Sequence, residues 1–174
     1  MIDFTLTDNR WKELRDEFFE VQEWAREKIE SHVRRRVFIR TMAADIEGCL
    51  NMLAYALVSV PNLLTIAETS ILNETQYDLR ENGEPKEKEK YYSSISKWRL
   101  IVKIMERSLG TKHWKVDFTS NDFNNFKTIF KTRNRITHPK IKQSLNIEDK
   151  EMELCVQGYQ WFFKNYQGIC KYEL

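Results

Sequence analysis

The chain has 174 residues, of which 41% are hydrophobic, and this length and apolar content favour one folded domain over residues 1–174. Its 28 Lys and Arg residues nearly balance its 26 Asp and Glu residues, and the net charge of +2 argues against a dedicated duplex-DNA binder. The three cysteines and three histidines form no close pairs, and no phosphate-binding loop or dinucleotide-binding glycine motif occurs, so we expect neither a metal nor a cofactor.

The sequence contains no recognisable targeting or membrane-spanning segment. The N-terminus lacks a basic start followed by an apolar stretch, and the least polar segment, residues 49–60, is interrupted by Asn51 and Ser59. We therefore expect a cytoplasmic protein without a membrane span.

Apolar residues at helical spacing predict two long helices in the first third of the chain. From Asn9 to Glu47 there is neither Gly nor Pro, and the first apolar stripe continues to Ile29. Four arginines at positions 34, 35, 36 and 40 then lead into a second stripe, which ends before Pro61. The opposite face of this second helix is also largely apolar, so the helix could be buried on two sides inside the bundle or against a second subunit, and we expect a subunit contact.

The middle of the chain predicts two helices separated by a loop. A third helix is expected over residues 62–79, and a solvated, charged loop over residues 80–91, where turn residues and mixed charges show no apolar face. A fourth apolar stripe extends from Ile95 to Leu109.

Two further helices complete the prediction. Ser120 or Asn121 is a suitable N-cap for the fifth helix, which should end near Thr137 because Pro139 follows. Asn146 is the expected cap of the last helix. No convincing strand pattern competes, so the predicted fold class is all-α, an up-down bundle of about five to six helices.

Arg133 occupies an unusual position in the fifth helix. On a helical wheel it falls near the centre of the apolar face, where an unpaired charge would cost several kcal/mol. Such an arginine needs a carboxylate partner, a polar cavity at a subunit boundary, or a phosphate. Asp45 and Glu47 flank the apolar face of the second helix, and either could be the partner or an ordinary boundary residue.

Asn134 follows this arginine directly, and His138 stands at the predicted helix end. A guanidinium group offers a fixed fork of donors for a phosphate, an imidazole can transfer a proton near neutral pH, and an amide can orient either group. A ribonuclease that works without a metal needs these groups.

The segment from Arg133 to His138 resembles the motif of the HEPN family, in which an Arg is followed by Asn, His or Asp and, a few residues later, by a His. Two other Arg-to-His spacings in the chain do not fit, since Glu27 and Ser108 follow those arginines. At the level of residues the resemblance covers this segment alone. Elsewhere it extends only to a helical bundle with a final helix after the motif.

The resemblance implies a homodimer in which two motifs form one composite RNA site without a metal. His138 would act as base or acid when the RNA 2′-OH attacks the adjacent phosphate, and Arg133 would stabilise the phosphorane charge. Asn134 would hold the imidazole or the phosphate. The family is rich in stand-alone enzymes of toxin–antitoxin and antiphage systems. The resemblance therefore also implies such a role for this chain, and a protein partner that restrains its activity.

Basic residues surround the motif and could attract an RNA backbone despite the low net charge. They are Lys131, Arg135, Lys140 and Lys142, to which the arginine cluster of the second helix could be added. Each of them could instead be a solvated charge at a helix end. Two other functions remain open: a catalytically inactive HEPN-like module that binds nucleotide or a protein, and a helical scaffold with a chance motif.

Overall fold

The computed structural model describes residues 9–109 and 115–171. These residues form six α-helices, one short 3-10 helix and one two-stranded antiparallel sheet, so the predicted all-α fold class is confirmed. The elements in chain order are α1 (Asn9–Arg26), α2 (His32–Val58), α3 (Ile66–Leu72), β1 (Thr75–Leu79), β2 (Pro85–Glu89), α4 (Ser94–Leu109), α5 (Asn121–Thr137), the 3-10 helix (Lys142–Leu145) and α6 (Asp149–Cys170).

The predicted third helix over residues 62–79 was wrong at both ends. α3 begins after Thr65, whose hydroxyl and backbone form a capping box with Glu68, and it ends at Leu72. Glu74 then adopts a left-handed conformation with a φ of 55°, which turns the chain away from the helix axis. The apolar spacing indicated a helix but contained no information about this early stop.

A β-hairpin follows α3, although no strand was predicted there. β1 and β2 pair so that Thr75 lies opposite Glu89 and Leu79 lies opposite Pro85. All five residues of β2 are exposed, so this part of the predicted charged loop at 80–91 is solvated as expected. It is a strand rather than irregular chain because its backbone groups pair with those of β1.

The chain divides into two compact units. Among the described residues, the first unit consists of residues 9–49 and 116–171, and the second consists of residues 50–109 and 115, so α2 contributes residues to both. The single domain expected over residues 1–174 stays a prediction.

Aromatic packing between α5 and α6 forms much of the core of the first unit. The rings of Phe126 and Phe162 stack with their centroids 5.5 Å apart, and both side chains are fully buried. Gly158 lets the two helices approach closely, because a Cβ at this position would lie 2.4 Å from the backbone nitrogen of Phe126. This contact fixes the position of α5.

Local sequence features set the ends of α5 and α6. The Ser120 hydroxyl accepts a hydrogen bond from the Phe123 N–H at 3.2 Å, so Ser120, one of the two predicted candidates, is the N-cap of α5. α5 ends at Thr137, shortly before Pro139, also as predicted. The N-cap of α6 is Glu148 and not the expected Asn146, because Asn146 instead closes the 3-10 helix with a hydrogen bond to the Gln143 carbonyl.

Candidate active site at the end of α5

Arg133 lies in the penultimate turn of α5 and faces α2. Its Nη2 donates a hydrogen bond to Oε1 of Glu47 at 2.8 Å, and the two side chains are 31% and 39% exposed. Its guanidinium carbon lies 5.8 Å from the centroid of the Phe130 ring. The arginine on the apolar face therefore has a carboxylate partner, and the pair lies at the edge of the core rather than inside it.

A buried nitrogen of this guanidinium has no partner among the described residues. The Nε of Arg133 is buried and forms no hydrogen bond within the described part of the chain. A buried donor without an acceptor costs free energy, about 1–3 kcal/mol in typical cases. Arg133 therefore binds Glu47 through Nη2, while its buried Nε lacks an acceptor.

Asp45, the other candidate partner of Arg133, is engaged elsewhere. Its carboxylate lies 3.1 Å from Nε of Arg15 and accepts a hydrogen bond from the Tyr159 hydroxyl at 2.7 Å. Asp45 is 3% exposed, and burial raises the pKa of its carboxyl group despite these two partners. Since two residues of helix correspond to a rotation of about 200°, Asp45 and Glu47 leave α2 on nearly opposite sides.

Asn134 and His138 are both exposed at the end of α5. His138 is the C-cap residue, with φ −122° and ψ 64°, and its backbone N–H donates to the Asn134 carbonyl at 3.0 Å. The side chains of Asn134 and His138 form no hydrogen bond with any residue in the ranges 9–109 and 115–171. The backbone angles of His138 are not helical, so this residue lies just beyond the last helical residue, Thr137.

The four basic residues predicted around the motif differ in their surroundings. Lys131, Lys140 and Lys142 are exposed, and within the described ranges none of them forms an ion pair. Arg135 instead donates to both carboxylate oxygens of Glu151, at 2.8 and 2.6 Å. Three lysines therefore remain available for a polyanion, while Arg135 is held by its own chain.

The segment that follows the motif is held by hydrogen bonds from arginines. These are Arg135 and members of the arginine cluster of α2. Arg135 donates to the carbonyls of Ser144 and Asn146, the second at 2.9 Å. Arg40 donates to the Ile136 carbonyl at 2.8 Å, and Arg36 to the Leu145 carbonyl at 2.9 Å. The last carbonyls of a helix have no partner within the helix, and the same holds for many carbonyls in the chain beyond it. These arginine side chains supply the missing hydrogen-bond donors.

Arg34 and Arg35 have comparable structural contacts. Arg35 is buried and donates to the Ile147 carbonyl at 2.7 Å, to the Ile29 carbonyl and to Asp149. Arg34 pairs with Glu27 at 3.0 Å and lies over the Trp24 ring at 4.6 Å. The arginine cluster of α2 was a candidate addition to the basic residues around the motif. Its four arginines instead form hydrogen bonds within the first unit.

Sequence reasoning missed this role of the arginines, although one feature of the sequence points to it. No acidic residue occurs between positions 33 and 44, so the four arginines have no ion-pair partner at helical spacing in their own helix. Three of their acceptors are backbone carbonyls that lie about a hundred positions away in the chain.

Comparisons with family models, with curated proteins and with solved structures found no match to this chain. Within the described ranges, no helix is both long enough and apolar enough to cross a lipid bilayer. Across the same ranges, no three His, Cys, Asp or Glu side chains converge in a way that could hold a metal ion.

Proposed function

We propose that this chain is a metal-independent endoribonuclease of the HEPN type, with an active site formed between two copies. Each copy contributes Arg133, Asn134 and His138 from the end of α5. RNA is the substrate, and Lys131, Lys140 and Lys142 bind its backbone. The biological setting is a toxin–antitoxin pair or antiphage defence, in which an antitoxin or other regulatory protein restrains the activity.

The observation that carries this proposal is the accessibility of all three side chains. Asn134 and His138 are exposed, and the Arg133 side chain retains 31% of its accessible surface. Its hydrogen bond to Glu47 uses Nη2, so Nη1 remains to donate to a phosphate. A phosphate group can therefore approach without any part of α5 unfolding.

A second copy is part of the proposal because the resemblance of the segment from Arg133 to His138 to the HEPN motif implies a composite site. Two copies with their α5 ends facing each other would place the arginine of one beside the histidine of the other. Such an obligate interface should bury more than about 1,000 Å² in total.

In the proposed reaction, one His138 imidazole takes the proton of the RNA 2′-OH while the 2′-oxygen bonds to the adjacent phosphorus. The bond from phosphorus to the 5′-oxygen breaks, and the leaving oxygen receives a proton from the protonated His138 of the other copy. Arg133 stabilises the negative charge that develops on the phosphorane oxygens, and Asn134 orients the phosphate or the imidazole. The products are a 2′,3′-cyclic phosphate and a 5′-hydroxyl end.

The test is RNA cleavage by the full chain in the presence of EDTA, with analysis of the product ends. We expect cleavage that leaves cyclic phosphates, and a loss of at least about 100-fold in Arg133→Ala and in His138→Ala. Arg80→Ala and Gln143→Ala are matched controls, because both positions are exposed and lie outside the motif. Light scattering should show a dimer for the parent and all four variants.

Two outcomes contradict the proposal. If a divalent ion restores activity that EDTA abolished, the 2′-OH mechanism without a metal is wrong. If the parent is a monomer at tens of micromolar, or if His138→Ala keeps full activity, the composite site is wrong.

The ion pair between Arg133 and Glu47 favours one alternative, a catalytically inactive HEPN-like module that binds nucleotide or a protein partner. Arg133 would then serve the fold through Glu47, and His138 would have no chemical role. In that case the parent cleaves no RNA, and His138→Ala binds the nucleotide or partner as the parent does.

A further inference from the structure

A small cleft opens in the first unit between α1, α2 and α6, on the Asp45 side of α2. Its volume is about 160 Å³. It is lined by Arg15, Phe18, Phe19, Gln22, Phe38, Met42, Val156, Tyr159, Gln160 and Phe163. Glu47, which pairs with Arg133, leaves α2 on nearly the opposite side from Asp45, so this cleft is separate from the proposed ribonuclease site.

Aromatic rings form most of the wall. Phe18 stacks on Tyr159 with the centroids 4.6 Å apart, and Tyr159 stacks in turn with Phe163 at 6.2 Å. Phe19 meets Phe18 edge to face and is 51% exposed. A flat ring that entered the cleft would find both ring faces and ring edges for favourable aromatic contacts.

Arg15 supplies a cationic group to this apolar site. Its Nε lies 3.1 Å from Asp45, its Nη2 donates to the Cys49 sulfur at 3.0 Å, and its guanidinium lies over the Phe163 ring at 4.7 Å. Its Nη1 has no hydrogen-bond partner among the described residues, and neither do the side-chain amides of Gln22 and Gln160.

Arg15 is paired with one carboxylate and keeps donors for a second acceptor. Burial raises the pKa of the Cys49 thiol to about 12, so this sulfur is neutral at pH 7 and does not offset the guanidinium. The one carboxylate that does, Asp45, also accepts the hydrogen bond from Tyr159. A guanidinium has five donors and commonly serves two acceptor groups, so a second carboxylate is compatible with Arg15.

We propose that this cleft binds a small aromatic carboxylic acid. The ring lies against the aromatic wall formed by Phe19 and its neighbours, and the carboxylate accepts hydrogen bonds from Arg15 and from the glutamine amides at the rim. The cleft is smaller than the roughly 300–1,000 Å³ of sites that enclose drug-sized ligands, which limits the ligand to one ring system and a short acidic group.

Benzoate and benzamide form a matched pair of probes, because they share the ring and nearly the same shape but differ in charge. We expect nuclear magnetic resonance titrations of the full chain to show benzoate binding at least about tenfold more tightly than benzamide, with shifts in α1 and α6. Arg15→Gln should abolish this preference. Because that change also leaves the buried Asp45 unpaired and can unfold the first unit, an exposed position provides a second variant.

Gln160→Glu places a negative charge at the exposed rim without touching the buried network. It should weaken benzoate binding at least about tenfold and weaken benzamide binding much less, because benzamide carries no charge. Gln167→Glu makes the same substitution at an exposed position of α6 outside the cleft and should affect neither probe. The proposal is overturned if benzamide binds as tightly as benzoate, if neither probe binds at millimolar concentration, or if Gln160→Glu binds benzoate as the parent does.

Discussion

Nη2 of Arg133 lies 2.8 Å from Oε1 of Glu47, and the two residues are 86 positions apart in the chain. The pair joins α5 to α2 at the base of the proposed site. Both side chains are partly exposed, so solvent screens their attraction and reduces what the pair adds to stability.

Arg133→Ala should therefore lower the free energy of unfolding by no more than about 1 kcal/mol, the range of exposed ion pairs. Urea denaturation of the parent, Arg133→Ala, Glu47→Ala and the double variant gives the coupling energy between the two side chains. Arg133→Lys should restore RNA cleavage poorly, because one ammonium group does not replace the planar fork. A loss above about 3 kcal/mol in Arg133→Ala would indicate a buried structural pair instead.

Arg35→Ala should destabilise the protein far more than the loss of an exposed lysine. The substitution removes the donor to the carbonyls of Ile29 and Ile147, of which the bond to Ile147 is buried, and a buried carbonyl left unpaired costs about 1–3 kcal/mol. Lys131→Ala, at an exposed position of α5, should stay within about 0.5 kcal/mol of the parent. Equal denaturation midpoints for the two variants would contradict the structural role of Arg35.

Gly158→Ala should separate α5 from α6. The added Cβ would lie 2.4 Å from backbone atoms of both Asn125 and Phe126, which do not move as easily as a flexible side chain. Overpacking of this kind costs about 1–3 kcal/mol, whereas Gly to Ala in an exposed helix usually gains stability. A thermal melt should show a lower midpoint for Gly158→Ala and little change for Gln167→Ala, which is exposed on the same helix.

Stability in acid should depend on Glu68 in the second unit. The hydrogen bond from Arg107 lowers the pKa of this carboxyl group from 4.5 to about 2, with the Thr65 backbone as a further cause. A lowered pKa means that the folded state favours the charged form, so this stabilisation is complete above pH 4.5 and is lost as the pH falls towards 2.

Urea midpoints measured across that pH window provide the test. Glu68→Gln should reduce stability at neutral pH and make the decline in acid shallower. Glu81→Gln is the control, because Glu81 is exposed and forms no ion pair within residues 9–109 and 115–171. Parallel pH curves for the parent and Glu68→Gln would contradict the prediction.

Lys140→Ala and Lys142→Ala should weaken RNA binding, and the affinity lost should be only the salt-dependent contribution from contacts with phosphates. Each lost contact with a single-strand phosphate should reduce the slope of log affinity against log salt by about 0.7. Lys150→Ala, at an exposed position in the first turns of α6, should leave the slope unchanged. If all three variants have the slope of the parent, the lysines beside the motif do not contact RNA.

The amino-acid sequence alone determined most of the helices and the position of the candidate site within α5. Apolar spacing, the Ser120 cap and the Pro139 stop are local features, and their effects depend little on distant residues. The same local reasoning identified Arg133 as a charge on an apolar face that requires a partner. It did not predict the end of α3 or the hairpin. The local preference for helix or strand is weak in these residues, and the pairing of β1 with β2 decides their structure.

Only the tertiary structure decided which groups meet. Asp45 and Glu47 are two residues apart and both carry a carboxylate. The orientation of α2 about its axis places Glu47 beside Arg133 and Asp45 beside Arg15. The acceptors of Arg36 and Arg40 are backbone carbonyls, a group that every residue has. A sequence therefore cannot specify which carbonyl such an arginine will find, since that depends on how helices far apart in the chain pack together.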